Sequence, residues 1–86
     1  MAATTLTLGG AGITYGYYNT YMCKRAYATF TAGGGGTASF KVVWIIGGSD
    51  SWASETYINS GETETGYSYY VDKSTNYNYR IRMYQR

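Results

Sequence analysis

Clusters of glycine interrupt this 86-residue chain at short intervals, and polar and apolar residues alternate in the segments between them. Glycine takes positive φ without steric cost, so such clusters mark turns. Alternation with a period of two is typical of β-strands, whose successive side chains point to opposite faces. The pattern predicts seven strands, over residues 4–8, 13–22, 25–31, 37–46, 51–58, 62–71 and 77–84.

The amino-acid composition argues against helices. Leucine occurs twice and glutamine once, so straight-chain helix formers are nearly missing, whereas twelve tyrosines and twelve threonines favour a pleated surface. Seven short strands without a helix predict one all-β domain over residues 1–86, a small antiparallel β-sandwich, with a small β-barrel as the alternative. A chain of this length buries only about 60–65 % of its unfolded surface, so its stability margin is small.

The segment 37–46 is the clearest core strand. Phe40, Val42 and Trp44 fall on one face, and the second half of the segment is apolar on both faces. A strand with two apolar faces is typical of the middle of a sheet. We therefore expect this strand to carry much of the core.

The remaining segments predict local features. Trp52 and Ile58 point inward on the fifth strand, and the turn at 59–61 joins the fifth and sixth strands as a hairpin. Gly16 is the expected site of a β-bulge. The glycine run 33–36 predicts a hairpin or crossover loop.

The absence of histidine removes the commonest catalytic and metal-binding side chain. Cys23 is the one cysteine, so neither an intradomain disulfide nor a multi-thiolate zinc site can form. Glu62 and Glu64 lie beside a predicted turn, where carboxylates usually keep an edge strand solvated. We therefore expect no enzyme activity, no metal and no cofactor.

The distribution of charged and apolar residues argues against nucleic-acid binding and against a membrane span. The net charge is +2, and the seven basic residues form no dense run, so we expect no nucleic-acid binding. The longest apolar run, residues 42–46, is far shorter than the ~18 residues of a membrane-spanning helix.

Tyrosine is the residue type that points to a function. Twelve rings exceed what a small core can hold while giving each hydroxyl a partner, so several face solvent. On the second predicted strand Tyr15, Tyr17 and Tyr21 share one face, Tyr18 lies on the other, and these four are candidate binding residues. Cross-strand aromatic pairing that only stabilises the sheet is the alternative.

A basic ladder on the last predicted strand adds two further candidates. Arg80 and Arg82, followed by Arg86, share the polar face of that strand. Arginines in this arrangement suit a phosphate, an anionic polymer or a carboxylate on a partner. Protection of an edge strand from mispairing is the competing interpretation.

The N-terminal residues carry no secretory signal. Either the chain is a complete cytoplasmic protein, or Met1 precedes the mature part of an exported protein. Low charge and a Gly, Thr, Tyr, Ser and Asn bias favour the second, an extracellular location. Residues 1–10, ahead of a glycine-rich hinge, are expected to form a detachable strand that can exchange between copies.

A set of short motifs resembles a known family: Gly9-Gly10, Tyr15-Gly16, Asn19-Thr20-Tyr21, Lys24, Ala26-Tyr27-Ala28-Thr29, Trp52-Ala53 and Tyr69-Tyr70. Their order is similar to that in the lactococcin-type bacteriocins, β-sandwiches that act on cell-wall assembly without forming pores. The resemblance spans about two-thirds of the chain and implies a β-sandwich that antagonises other bacteria. The strand Phe40-Lys41-Val42-Val43 also resembles the small β-sandwich amylase inhibitors of actinomycetes.

Three non-enzymatic functions fit the sequence. The first is an exported bacteriocin-like antagonist whose tyrosine-rich surface binds a protein or a cell-surface polymer. The second is a small proteinaceous enzyme inhibitor. The third is a subunit of a fibre or a phage or capsid assembly, a homo-oligomer formed by strand addition.

Overall fold

A computed structural model describes residues 4–85 of the chain, and for Gln85 only the backbone. It contains eight β-strands: β1 Thr5–Tyr18, β2 Tyr21–Gly33, β3 Thr37–Ile46, β4 Ser49–Asp50, β5 Thr56–Asn59, β6 Thr63–Tyr67, β7 Val71–Asp72 and β8 Asn78–Gln85. No helix occurs in residues 4–85. The predictions about Met1 and Arg86 lie outside the described residues.

The strands form two antiparallel sheets, which confirms the predicted β-sandwich. Sheet A has the order β1-β2-β6, with β7 also paired to β2, and sheet B has the order β4-β3-β5, with β8 also paired to β3. In sheet B, β3 lies in the middle, with β8 along one edge and the short β4 and β5 along the other. The central position of β3 follows from its two apolar faces.

The first two strands form one long hairpin rather than separate elements. The predicted strand 13–22 is wrong, because the chain reverses at Asn19, which has a φ of 57°, and Tyr18 pairs with Tyr21. Within residues 1–10, Thr5 to Leu8 and Gly10 pair with β2. Their exchange between copies stays a prediction.

The β-bulge lies at Gly9 and not at Gly16. Leu8 pairs with Phe30 and Gly10 with Thr29, so Gly9 is the extra residue, whereas Gly16 pairs regularly with Cys23. An extra residue shifts the alternation of every side chain beyond it to the opposite face. The bulge therefore places Leu8 and Ile13 on the same face of β1 although they are five residues apart.

The core combines small side chains of β2 with large ones of β3. Ala26, Ala28, Phe30 and Ala32 are buried on β2, and Phe40, Val42 and Trp44 are buried opposite them on β3, as predicted. Phe30 meets Phe40 edge to face, with ring centroids 4.8 Å apart. Trp44 donates its indole N–H to the Tyr69 carbonyl at 2.8 Å. Each large buried side chain contributes roughly 1.5–3 kcal/mol of hydrophobic stabilisation.

Three connections cross between the sheets, and the last of them joins β7 in sheet A to β8 in sheet B. The glycine run 33–36 leads from sheet A to sheet B, with Gly34 and Gly36 at φ of 72° and 89°. The turn at 59–61 leads back from β5 in sheet B to β6 in sheet A, so the hairpin predicted there is wrong. Alternating strands around a tight turn have the same local sequence pattern in both arrangements, and only the long-range pairing separates them.

Trp52 is also placed differently from its prediction. Ile58 is fully buried as expected, but Trp52 is 76 % exposed. Residues 51–55 are not part of a strand, and Ser51 instead turns its hydroxyl inward to accept the Trp44 backbone N–H at 3.0 Å. The alternation that would bury Trp52 therefore does not apply there.

Candidate binding surface

The turn at Asn19 and Thr20 separates the four candidate tyrosines of the first hairpin into two pairs. Tyr15 lies opposite Lys24 on the side of sheet A that faces sheet B, and Tyr17 follows on the same side. Tyr18 and Tyr21 pair with each other on the outer side. The prediction that Tyr21 shares a face with Tyr15 and Tyr17 is therefore wrong. The two pairs of side chains lie on opposite sides of the same hairpin.

The outer side of sheet A brings three further tyrosines together with Tyr18 and Tyr21. We call it the tyrosine face and define it by Tyr18, Tyr21, Tyr27, Tyr67, Tyr70 and Arg25. Tyr18 and Tyr21 are 68 % and 67 % exposed. Tyr27 on β2 lies directly across from Tyr67 on β6, with a distance of 6.5 Å between ring centroids.

Glycines of β1 form the floor on which two of these rings lie. The ring of Tyr27 lies 3.4 Å from the position that a Cβ of Gly12 would take. The hydroxyl of Tyr70 lies 3.0 Å from the corresponding position of Gly16. A Cβ at Gly16 would require the Tyr70 ring to shift by a few tenths of an ångström, whereas a Cβ at Gly12 would lie at the limit of ordinary van der Waals contact with Tyr27. The glycines therefore let the tyrosines lie across the sheet.

Arg25 occupies the middle of the tyrosine face. Its guanidinium carbon lies 3.7 Å from the ring centroid of Tyr67 and 4.8 Å from that of Tyr70, both within cation–π range. Its Nε atom is buried and donates to no partner within the described residues. The ion pairs found between residues 4 and 85 involve other arginines, so this cation has no carboxylate partner there.

Two shallow depressions flank the stacked guanidinium. One of about 370 Å³ is mainly apolar and is lined by Tyr18, Tyr21, Cys23, Tyr70, Val71 and Asp72. The other, of about 310 Å³, is lined by Thr14, Tyr27, Thr29, Thr65 and Tyr67. Both volumes fall at the low end for small-ligand clefts. Because both are wide open, they suit an extended or flat partner rather than an enclosed small molecule.

Asp72 supplies the negative charge at the rim of the first depression. The hydroxyl of Ser74 donates to its carboxylate at 2.5 Å and the Ser74 backbone N–H at 2.9 Å. These hydrogen bonds, helped by the charges of Lys73 and Lys24, lower the pKa of Asp72 below its ordinary value of 3.8. The carboxylate therefore stays ionised at neutral pH.

The basic ladder lies on the opposite side of the sandwich. Arg80 and Arg82 occupy the outer face of sheet B and reach across β3 to Asp50 on β4, at 3.5 Å and 2.8 Å. Asp50 partly neutralises them. They do not join the tyrosines in one site, although the sequence made both groups candidates. Their ion pairs instead link β8 to β4, the strands that lie on either side of β3.

Sequence reasoning missed the residues at the centre of the tyrosine face. Arg25 is not among the candidates that the sequence predicts, and alternation along the predicted strand 62–71 would put Tyr67 and Tyr70 on opposite faces. The chain leaves the strand after Tyr67, because the buried Ser68 hydroxyl accepts the Ala26 backbone N–H at 2.9 Å. This departure brings Tyr67 and Tyr70 together against Arg25. No short sequence pattern predicts this departure from the strand.

The described residues contain no group of three or more His, Cys, Asp or Glu side chains placed to hold a metal ion. Among them there is also no helix of the length and apolarity needed to span a membrane. No protein-family model matches the chain, and neither a curated protein nor a solved structure matches it significantly. The case for a function therefore depends on the geometry of the surface.

Proposed function

We propose that this protein is a non-enzymatic, exported binding protein and that the tyrosine face contacts its target. The target is a protein or a polymer on the surface of another cell, in keeping with the resemblance to cell-wall-directed bacteriocins. The observation that carries the proposal is the stacking of Arg25, a cation without a carboxylate partner in the described residues, between exposed tyrosines.

Tyrosine and arginine are the side chains that dominate binding energy at interfaces. They bury a large contact area at low entropic cost and add hydrogen bonds at their tips. A face that only stabilised the sheet would bury its rings between strands, whereas Tyr18 and Tyr21 remain about two-thirds exposed. These exposed rings leave apolar surface that a partner can cover.

Arg25 indicates which chemical groups the target presents. Its ring partners hold the guanidinium in place, which lowers the entropy lost when a ligand binds. A preorganised guanidinium favours carboxylate or phosphate groups, which it binds through paired hydrogen bonds. We therefore expect an acidic polymer, or a protein that presents acidic groups beside apolar ones.

The hairpin offers a matched pair of variants for the test. Tyr18→Ser with Tyr21→Ser removes rings from the tyrosine face, and Tyr15→Ser with Tyr17→Ser removes equally exposed rings from the other side of the same hairpin. The probe is co-sedimentation with purified Gram-positive cell walls, with and without their anionic teichoic acids. Thermal unfolding of each variant checks that the fold persists.

We expect the first variant to bind the walls about thirtyfold more weakly, corresponding to about 2 kcal/mol for the loss of two interface rings. The second variant should bind like the wild type, and removal of teichoic acid should weaken wild-type binding. Equal losses in both variants would contradict the assignment of the face. A wild type that does not sediment with either wall preparation would refute the cell-surface target.

A further inference from the structure

The edge of β1 differs from the other sheet edges in its lack of charge. Edge strands expose unpaired backbone groups, and proteins usually protect them with charges, proline or short length. On the other edge strands β8 carries Arg80 and Arg82, β6 carries Glu64 and β4 carries Asp50, while β5 is only four residues long. β1 has fourteen residues, none of them charged and none proline.

Apolar side chains line the same open side of the sandwich. Leu8 and Ile13 on β1 are 51 % and 38 % exposed, and Met83 on β8 is 58 % exposed. All three point toward the interior on their strands by register, because their cross-strand neighbours Phe30, Ala26 and Phe40 are core residues. The core is therefore not covered along the side formed by the edges of β1 and β8.

The sequence of β1 is complementary to itself when the strand is reversed. In an antiparallel pairing centred between Gly10 and Ala11, Leu8 of one copy meets Ile13 of the second, and Thr7 meets Thr14. On both sides of the axis the bulge makes this register consistent, since Leu8 and Ile13 both lie on the inner side and both threonines on the outer side; at the axis Gly10 has no side chain to oppose Ala11. Without the bulge, residues five or seven apart would point to opposite faces.

We propose that two copies of this chain pair through the free edges of β1 in that register, about a two-fold axis at Gly10 and Ala11. A second copy fits this edge because two uncharged strands meet without repulsion and each apolar side chain finds an apolar partner. The pairing joins the two A sheets into one and places both tyrosine faces on the same side. Such a dimer would bind a repetitive polymer bivalently.

A charge-complementation experiment tests both the dimer and its register. Leu8→Glu and Ile13→Lys are made separately, and the mass of each protein is measured by size-exclusion chromatography with light scattering from micromolar to near-millimolar concentration. The wild type should be a dimer of about 19 kDa, twice the 9.5 kDa chain. Each variant alone should dimerise about a hundredfold more weakly. In its homodimer each of the two introduced charges lies opposite an apolar side chain of the other copy.

An equimolar mixture of the two variants should recover the dimer. The heterodimer places the introduced carboxylate opposite the introduced ammonium and keeps one Leu8–Ile13 contact intact. Trp52→Lys, at an exposed apolar side chain that follows β4 on the far edge of sheet B, is the control and should leave the wild-type dimer unchanged. A wild type that is monomeric at every concentration would overturn the proposal, as would a mixture that stays monomeric.

Cross-linking provides a measurement that does not depend on the charged variants folding well. In a Cys23→Ser background, Thr7→Cys and Thr14→Cys place thiols on residues that face each other across the proposed axis. Opposed Cα atoms of antiparallel strands lie about 4.5–5.5 Å apart, which suits a disulfide. A mixture should cross-link at least about tenfold faster than either protein alone, and equal rates would contradict the register.

The proposed dimer and the proposed binding surface can be refuted independently of each other. Tyr18→Ser with Tyr21→Ser changes residues beyond the proposed overlap, so this variant should remain a dimer while losing its binding to cell walls. Leu8→Glu leaves the tyrosine face of the monomer intact and should lose only the avidity of the pair. Loss of dimerisation with unchanged wall binding at saturating monomer would leave the proposed function standing.

Discussion

Gly66 is the position at which the two sheets approach each other most tightly among the glycines of the core, and Gly66→Ala tests that packing. A Cβ at this position would lie 2.6 Å from Cε2 of Phe40 and 2.6 Å from Oγ1 of Thr56. Phe40 cannot move freely, because it is fully buried and packs edge to face on Phe30. The added methyl group must therefore push β6 away from sheet B.

The cost can be estimated from overpacking in other cores. Extra methylenes in a well-packed interior cost about 1–3 kcal/mol, and two contacts at 2.6 Å place this one toward the upper end. A chain of this size has roughly 4–13 kcal/mol of stability in total. For domains of 60–100 residues about 1 kcal/mol moves the Tm by roughly 4–8 °C. We expect Gly66→Ala to lower the Tm by roughly 10–20 °C.

The assay is thermal and urea unfolding followed by circular dichroism, with Gly35→Ala as the control. Gly35 has no heavy atom within 4 Å of its Cβ position and no positive φ, so alanine there should leave the Tm within about 2–3 °C of the wild type. Adding Phe40→Leu to Gly66→Ala should recover part of the loss, because the two sites share one contact. A Gly66→Ala protein as stable as the wild type would refute the inferred spacing of the sheets.

Two further predictions concern residues whose environment the structure defines. The folded-state pKa of Asp72 is lowered, so its ionised form stabilises the fold above pH ~4 and that contribution is lost as the pH falls through the lowered value. In a carboxyl NMR titration Ser74→Ala should raise this pKa toward the ordinary one, and an unchanged titration would contradict the role of Ser74. Because Trp52 is 76 % exposed and Trp44 is fully buried, Trp52→Ser should remove the iodide-quenchable part of the fluorescence. It should change the free energy of unfolding by less than about 0.5 kcal/mol, and a large loss of stability would mean that Trp52 is packed.

The local pattern of the sequence determined the central strand β3 and the inward face of β8, and the reason is physical. The alternation of large apolar residues over 37–46 could satisfy burial only as a pleated strand, and β3 has those bounds. The inward set of β8, Tyr79, Ile81 and Met83, was likewise readable, since each lies opposite a core residue of β3. Glycine clusters located most turns, because positive φ is required at Gly34, Gly36, Gly47, Gly48 and Gly61.

Tertiary structure alone decided which strands pair and which tyrosines meet. The turn at 59–61 serves a hairpin or a sheet crossing equally well, and the choice depends on contacts of β5 with β3 and of β6 with β2. The two-residue turn at Asn19 and Thr20 pairs Tyr18 with Tyr21, so Tyr21 faces away from Tyr15 and Tyr17. The stacking of Arg25 between Tyr67 and Tyr70 unites residues more than forty positions apart. Such long-range contacts follow from the packing of whole sheets, and no short stretch of sequence encodes them.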